Sequence, residues 1–169
     1  MMKKLTMTIL GAFLLVNAAQ VSAQSQAANA SVTIPEVLAI TVDQTNIAFP
    51  AVTAADFTAG YVDAGVTSTI DTRGNVVHDV TIQADAAAFT YVGSASPAPS
   101  KPAADLSWSN DGGTSFTAID NAAATDVATA LARGVNAGAA AITYRIGLDL
   151  ASDPPGDYSL AFTYTVVAN

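Results

Sequence analysis

Hydrophobic and polar residues alternate with a period of two along much of this chain. That period belongs to strands with one face buried and the other in water. The two most regular stretches come last. Ile142, Tyr144, Ile146, Leu148 and Leu150 interleave with Thr143, Arg145, Gly147 and Asp149, and Tyr158, Leu160, Phe162, Tyr164 and Val166 interleave with Ser159, Ala161, Thr163 and Thr165. Between them, Asp153-Pro154-Pro155-Gly156-Asp157 is a strong turn.

Shorter strands precede these. Val32 and Ile34 share one face of a strand over residues 31–34, stopped by Pro35; Leu38, Ile40 and Val42 carry the pattern on to a turn over residues 43–46; Ile47 and Phe49 predict a short strand ended by Pro50. Residues 66–83 predict a hairpin around Arg73-Gly74-Asn75, where Gly and Asn tolerate positive φ. A two-residue turn would set Ile70 opposite Asp79 and mix the faces. A three-residue loop sets Val66, Ser68, Ile70 and Thr72 against Ile82, Val80, His78 and Val76, and is preferred. Residues 89–92 form another strand, and residues 93–105, with Pro97, Pro99 and Pro102, read as a surface loop. Residues 106–109 and 115–119 flank a second hairpin turn, Asn110-Asp111-Gly112-Gly113. Over residues 121–134 the alanines and the Val127/Leu131 spacing allow one short helix closed by Gly134, against a Thr and Asp content that disfavours it.

About seven to nine short, turn-punctuated strands make an all-β fold, an antiparallel β-sandwich of Ig-like or pilin-like type. An outer-membrane barrel would need aromatic girdles that the sequence lacks. The acidic residues point the same way. Glu36 is the sole glutamate and the other acids are aspartates, which favour turns.

The start of the chain follows another rule. Lys3 and Lys4 precede an apolar run over residues 5–16, and a polar neck ends in Val21-Ser22-Ala23. This is the plan of a secretory signal peptide, too short in its apolar part to span ~30 Å of hydrocarbon. The expectation is therefore cleavage after Ala23, no membrane span afterwards, a flexible lead-in over residues 24–30 and one sandwich domain over residues 31–169. The destination is the periplasm, the cell surface or the medium. The whole chain carries a net charge of −8, and residues 1–23 remove two of its six basic residues, so the remainder is more acidic still. Nucleic acid and anionic lipid would be repelled. There is no cysteine, which excludes disulfides, thiolate metal sites and a cysteine nucleophile.

Candidate chemistry is sparse. His78 is the only histidine, falls on the Val76/Val80/Ile82 face near a sheet edge, and no Gly-x-Ser-x-Gly elbow accompanies it. The expectation is a protein that is not an enzyme and has no cofactor. Asp149, Asp153 and Asp157 around the last turn are the candidate calcium ligands, though without the fixed spacing of a calcium loop. Trp108, beside the second hairpin, is the candidate exposed aromatic for ligand contact. Ser109-Asn110-Asp111-Gly112-Gly113-Thr114-Ser115-Phe116 resembles the Asp-box of sialidase-like propellers, in which the aspartate ties a tight turn on a blade away from the active site.

The ending, Pro155-Gly156-Asp157-Tyr158 followed by alternating Leu, Phe, Tyr and Val, resembles the closing strand of exported bacterial pilin-like sandwiches. The start, Ala30-Ser31-Val32-Thr33-Ile34-Pro35 with Leu38, Val42 and Asn46-Ile47-Ala48-Phe49, is similar in layout to the spore coat protein U-like families. The resemblance implies a structural or surface subunit that associates with itself or with fibre partners by β-strand addition. Ala28, Ala30, Val32 and Ile34 would be the assembly strand, in cis or in trans. The alternative reading is an extracellular glycan- or calcium-binding module that uses Trp108 and the acidic turns.

Overall fold

Two long strands pair with each other at the centre of the larger sheet. The structure is a computed structural model that describes residues 26–169; the proposed signal peptide and its cleavage point lie outside the described residues. In chain order the elements are β1 (Leu38–Val42), α1 (Ala54–Ala59), β2 (Tyr61–Gly74), β3 (His78–Ala84), β4 (Thr90–Gly93), a 3-10 turn (Ala103–Asp105), β5 (Leu106–Ser109), β6 (Thr117–Ala118), β7 (Thr125–Leu131), β8 (Gly134–Gly147), β9 (Gly156–Ser159) and β10 (Phe162–Ala168). They form a five-stranded sheet of order β1-β2-β8-β5-β6, a three-stranded sheet β10-β3-β7 and a ribbon β4-β9. Every ladder is antiparallel. The fold is all-β and sandwich-like, with ten strands where about seven to nine were read from turn spacing.

Alternation explains the core. On β3, His78, Val80, Ile82 and Ala84 are buried while Asp79, Thr81 and Gln83 are only partly so. On β8, Ala140, Ile142, Tyr144 and Ile146 point inward, and on β2 Val62, Ser68, Ile70 and Thr72 do. Leu106, Trp108, Ile119 and Val127 form one continuous apolar cluster with Ile70, Val80, Ile82, Ala84, Ala140, Ile142 and Tyr144. Each such aliphatic side chain stabilises the fold by about 1.5–3 kcal/mol through burial.

The period told faces better than neighbours. The hairpin expected over residues 66–83 does not form: β2 pairs with β1 and β8, β3 pairs with β10 and β7, and the chain crosses between sheets at Asn75–Val77. Ser68, Ile70 and Thr72 still face His78, Val80 and Ile82, but across the core. A period of two fixes which side chains point inward and leaves the ladder partner open. Likewise, the strands around Ile146 and Tyr164 do not pair with each other, and the second of them is split into β9 and β10, which lie in different ladders.

Three other expectations are corrected. Residues 121–134 hold β7 instead of a helix, because Val127 is buried and Ala128 pairs with Val80 on β3; tertiary pairing overrides the helix propensity of alanine. The helix lies instead at α1. Asp56 accepts from the Thr53 N–H at 2.7 Å and from its hydroxyl at 2.7 Å, and Gly60 closes the turn at φ 79°. Residues 31–34 and 47–49 form no strand. Ile47 and Phe49 nevertheless pack on the core without a ladder. The segment 93–105 is not wholly surface, since Lys101 and Ala103 are buried.

Candidate functional site

β10 pairs along one edge, with β3, and β1 along one edge, with β2. Between these edges lies a hollow of about 590 Å³, lined by Ile40, Val42, Phe89, Leu160, Phe162 and Tyr164 among others, and by no charged residue. A second hollow of about 670 Å³ is lined by Val62, Leu148, Pro154 and Pro155. The two share Ile47, Phe49, Ile146 and Tyr158, so they flank the ladderless segment 47–49. This opening is an apolar concavity beside an unpaired strand edge, and the sequence pattern does not place it. Its signal is Ile47 and Phe49, an alternating pair cut short by Pro50.

The candidate assembly residues lie on chain without regular structure. Residues 26–37 carry neither strand nor turn, and Ala28 and Ala30 are exposed. Val32 is 83% and Ile34 73% exposed, far from the usual fate of such side chains. Just beyond them the chain is clamped. Asn75 donates to the Pro35 carbonyl at 2.7 Å and accepts from the Val37 N–H at 2.8 Å, and the Asn75 N–H donates to the Val37 carbonyl at 3.1 Å.

Lys101 stands at the edge of the second hollow. Its ammonium donates to Asp153 at 2.8 Å, to Asp105 at 3.0 Å and to the Gly147 carbonyl at 2.7 Å, so its three protons meet three acceptors. Its side chain is 2% exposed. This hub joins the proline-rich segment, the 3-10 turn, the end of β8 and the last turn. It also uses one of the candidate calcium ligands. Asp149 serves the same turn, accepting from Ser152 at 2.7 Å and from the Ala151 N–H at 3.0 Å. The Ser152 hydroxyl, more than any other group, holds the Asp149 carboxyl below the usual range. Asp157 pairs with Val92 in the β4–β9 ribbon. Among the described residues, no three acidic or histidine side chains are placed to hold a metal ion.

Trp108 is not exposed. It is 5% accessible, pairs with Tyr144 across β5 and β8, and its indole N–H has no hydrogen-bond partner among the described residues. Strand alternation puts Leu106 and Trp108 on the inner face together, and that outweighs proximity to a turn. His78 is fully buried on the central strand of its sheet rather than at an edge. Its two ring nitrogens lie 2.8 Å from the Thr72 hydroxyl and 3.0 Å from the Val76 carbonyl. The carbonyl can only accept, so Nδ1 donates to it. Nearby in the core, Tyr144 bonds Ser68 at 2.8 Å and Tyr164 at 2.7 Å, and burial pushes both phenols up.

The Asp-box-like turn is a local lock. Asp111 accepts from the Ser109 hydroxyl at 2.6 Å and from the Thr114 and Ser115 N–H groups at 2.9 and 3.0 Å. Those bonds, the Ser109 hydroxyl first, hold its carboxyl well below the usual carboxylate range. Gly112 and Gly113 take φ of 76° and 86°. On the outer face of the five-stranded sheet, Arg145 lies between Tyr61 and Phe116, 3.6 and 4.0 Å from the ring centres, and pairs with Asp63 at 2.6 and 3.0 Å. Among known proteins, no family model matches this chain, and no curated protein matches it.

Proposed function

We propose that the protein is an exported, non-catalytic structural or surface subunit whose copies associate by β-strand addition. The observation that carries this reading is the stretch of chain at residues 26–34 that has neither strand nor turn and on which Val32 and Ile34 are exposed. Such side chains in water are a cost unless something covers them. A segment with no charged side chain and no ladder of its own can add to a sheet edge through main-chain bonds. Export rests on the leader plan of residues 1–23. Among the described residues no helix is long and apolar enough to cross a membrane. Two named groups of the glycan- or calcium-binding alternative are otherwise engaged, since Trp108 is buried and Asp153 is bound by Lys101.

Light scattering on the exported chain tests the reading. Multimers are expected, and removal of residues 24–34 or the pair Val32→Asp and Ile34→Asp should leave a folded monomer. A full chain that stays monomeric at high concentration would refute it.

A further inference from the structure

We infer that the Lys101 hub is a modification site, at which the Lys101 amine and the Asp153 carboxyl condense to an internal amide. The contact such a reaction needs is already made. Nζ lies 2.8 Å from Asp153 Oδ2, between residues 52 positions apart in the chain. Holding two reacting groups together makes their encounter intramolecular, with effective molarities of roughly 10⁵–10⁸ M where the geometry is right. The Lys101 side chain is 2% exposed and that of Asp153 8%. Phe49, Val62, Leu148, Pro154 and Pro155 wall the hollow beside them. Little water reaches the pair, so little is there to hydrolyse an amide once formed.

Two carboxylates touch the amine, and their settings give them different roles. Asp153 Oδ2 also accepts the Asp149 N–H at 2.9 Å. That donor stands where negative charge develops as nitrogen adds to the carboxyl carbon. Asp105, 3.0 Å from Nζ and 35% exposed, keeps contact with solvent and carries protons. The step balances. The Nζ–Cγ bond forms and the Cγ–Oδ1 bond breaks; Nζ gives up two protons, and Oδ1 leaves with them as water. Asp105 relays the protons and ends as it began, while the ammonium and carboxylate charges cancel. Oδ2 remains as the amide oxygen on the Asp149 N–H, and the amide N–H keeps the Gly147 carbonyl within reach. Until it forms, the hub holds as an ion pair. The amide adds to that a covalent tie between the proline-rich segment and the last turn, which a chain without cysteine cannot make by disulfide. Nothing in this chemistry depends on copies associating.

Trypsin separates the outcomes. It cuts after Arg73, Arg133 and Arg145 but not between Lys101 and Pro102, so the two groups fall in different peptides, 74–133 and 146–169. From the monomer band of the full-length chain, the expected result is one joined species, lighter than the two peptides together by one water. Fragmentation should place the bond between Lys101 and Asp153, and Lys101→Arg, which keeps the charge, should abolish it. Asp105→Ala should slow the rise of the joined species in freshly made protein by roughly 100-fold or more, with an unchanged circular dichroism spectrum. Two separate peptides of full mass from the folded wild-type chain overturn the amide. A 74–133 peptide lighter by one water, with fragments joining residues 101 and 105, overturns the choice of Asp153. Undiminished linking in Asp105→Ala overturns its part as proton carrier.

Discussion

Lys101 and Arg145 both hold distant parts of the sandwich together, and they do so in opposite surroundings. Lys101 is sealed from water and ringed by two carboxylates and a carbonyl. Arg145 lies on the outer face, stacked between Tyr61 and Phe116 and paired with Asp63, whose side chain is 51% exposed. The buried pair has lost hydration and recovers it only through good geometry, so removing either partner is costly. The exposed one gains little from charge, and salt screens it. The fold therefore depends on a cation that the sequence hides in a proline-rich loop far more than on one displayed along its clearest strand.

The largest effect expected follows directly. Lys101→Met strands Asp153 and the Gly147 carbonyl and should cost about 3–5 kcal/mol in urea unfolding. Adding Asp153→Leu should restore much of that, since a matched apolar replacement of a buried pair is often neutral. A Lys101→Met protein as stable as wild type would break the comparison. Arg145→Ala should cost only about 1 kcal/mol, from a screened pair and two exposed cation–π contacts. High salt should erase part of that difference and leave the Lys101 effect nearly intact.

The smallest effect belongs to Asp111, whose bonds are all local. Its carboxyl is depressed in the fold, so its contribution is fully present above the unfolded carboxylate value near about pH 4 and is lost as pH falls through the folded one. The stability gap between wild type and Asp111→Asn should thus shrink on acidification below about pH 4. A gap that widens instead would contradict the hydrogen-bonded carboxylate.

Local features were the legible ones. The Asp111 turn and the inward faces of β8 and β10 stand where alternation and turn chemistry place them, because each is decided within a few residues. Lys101 was not legible, since two of its acceptors lie 46 and 52 residues away. The β2–β3 crossing was misread because alternation does not name a ladder partner. Trp108 was misread because closeness to a turn was weighed above the face it occupies. The open groove was invisible for a related reason. It is made by edges, and an edge is defined by a neighbour that no stretch of sequence announces.

One corner of the molecule has a mechanical meaning. Asn75 grips Pro35 and Val37, and two residues on, the Val77 carbonyl receives the Asn169 N–H at 2.9 Å. The first ladder strand and the last are thus tied to the same three-residue crossing. If copies join as proposed, tension on residues 35–37 would load Asn75 and reach the end of β10 across this crossing. Such a domain would feel tension first at its hem, where three hydrogen bonds to Asn75 and one to Val77 would carry it.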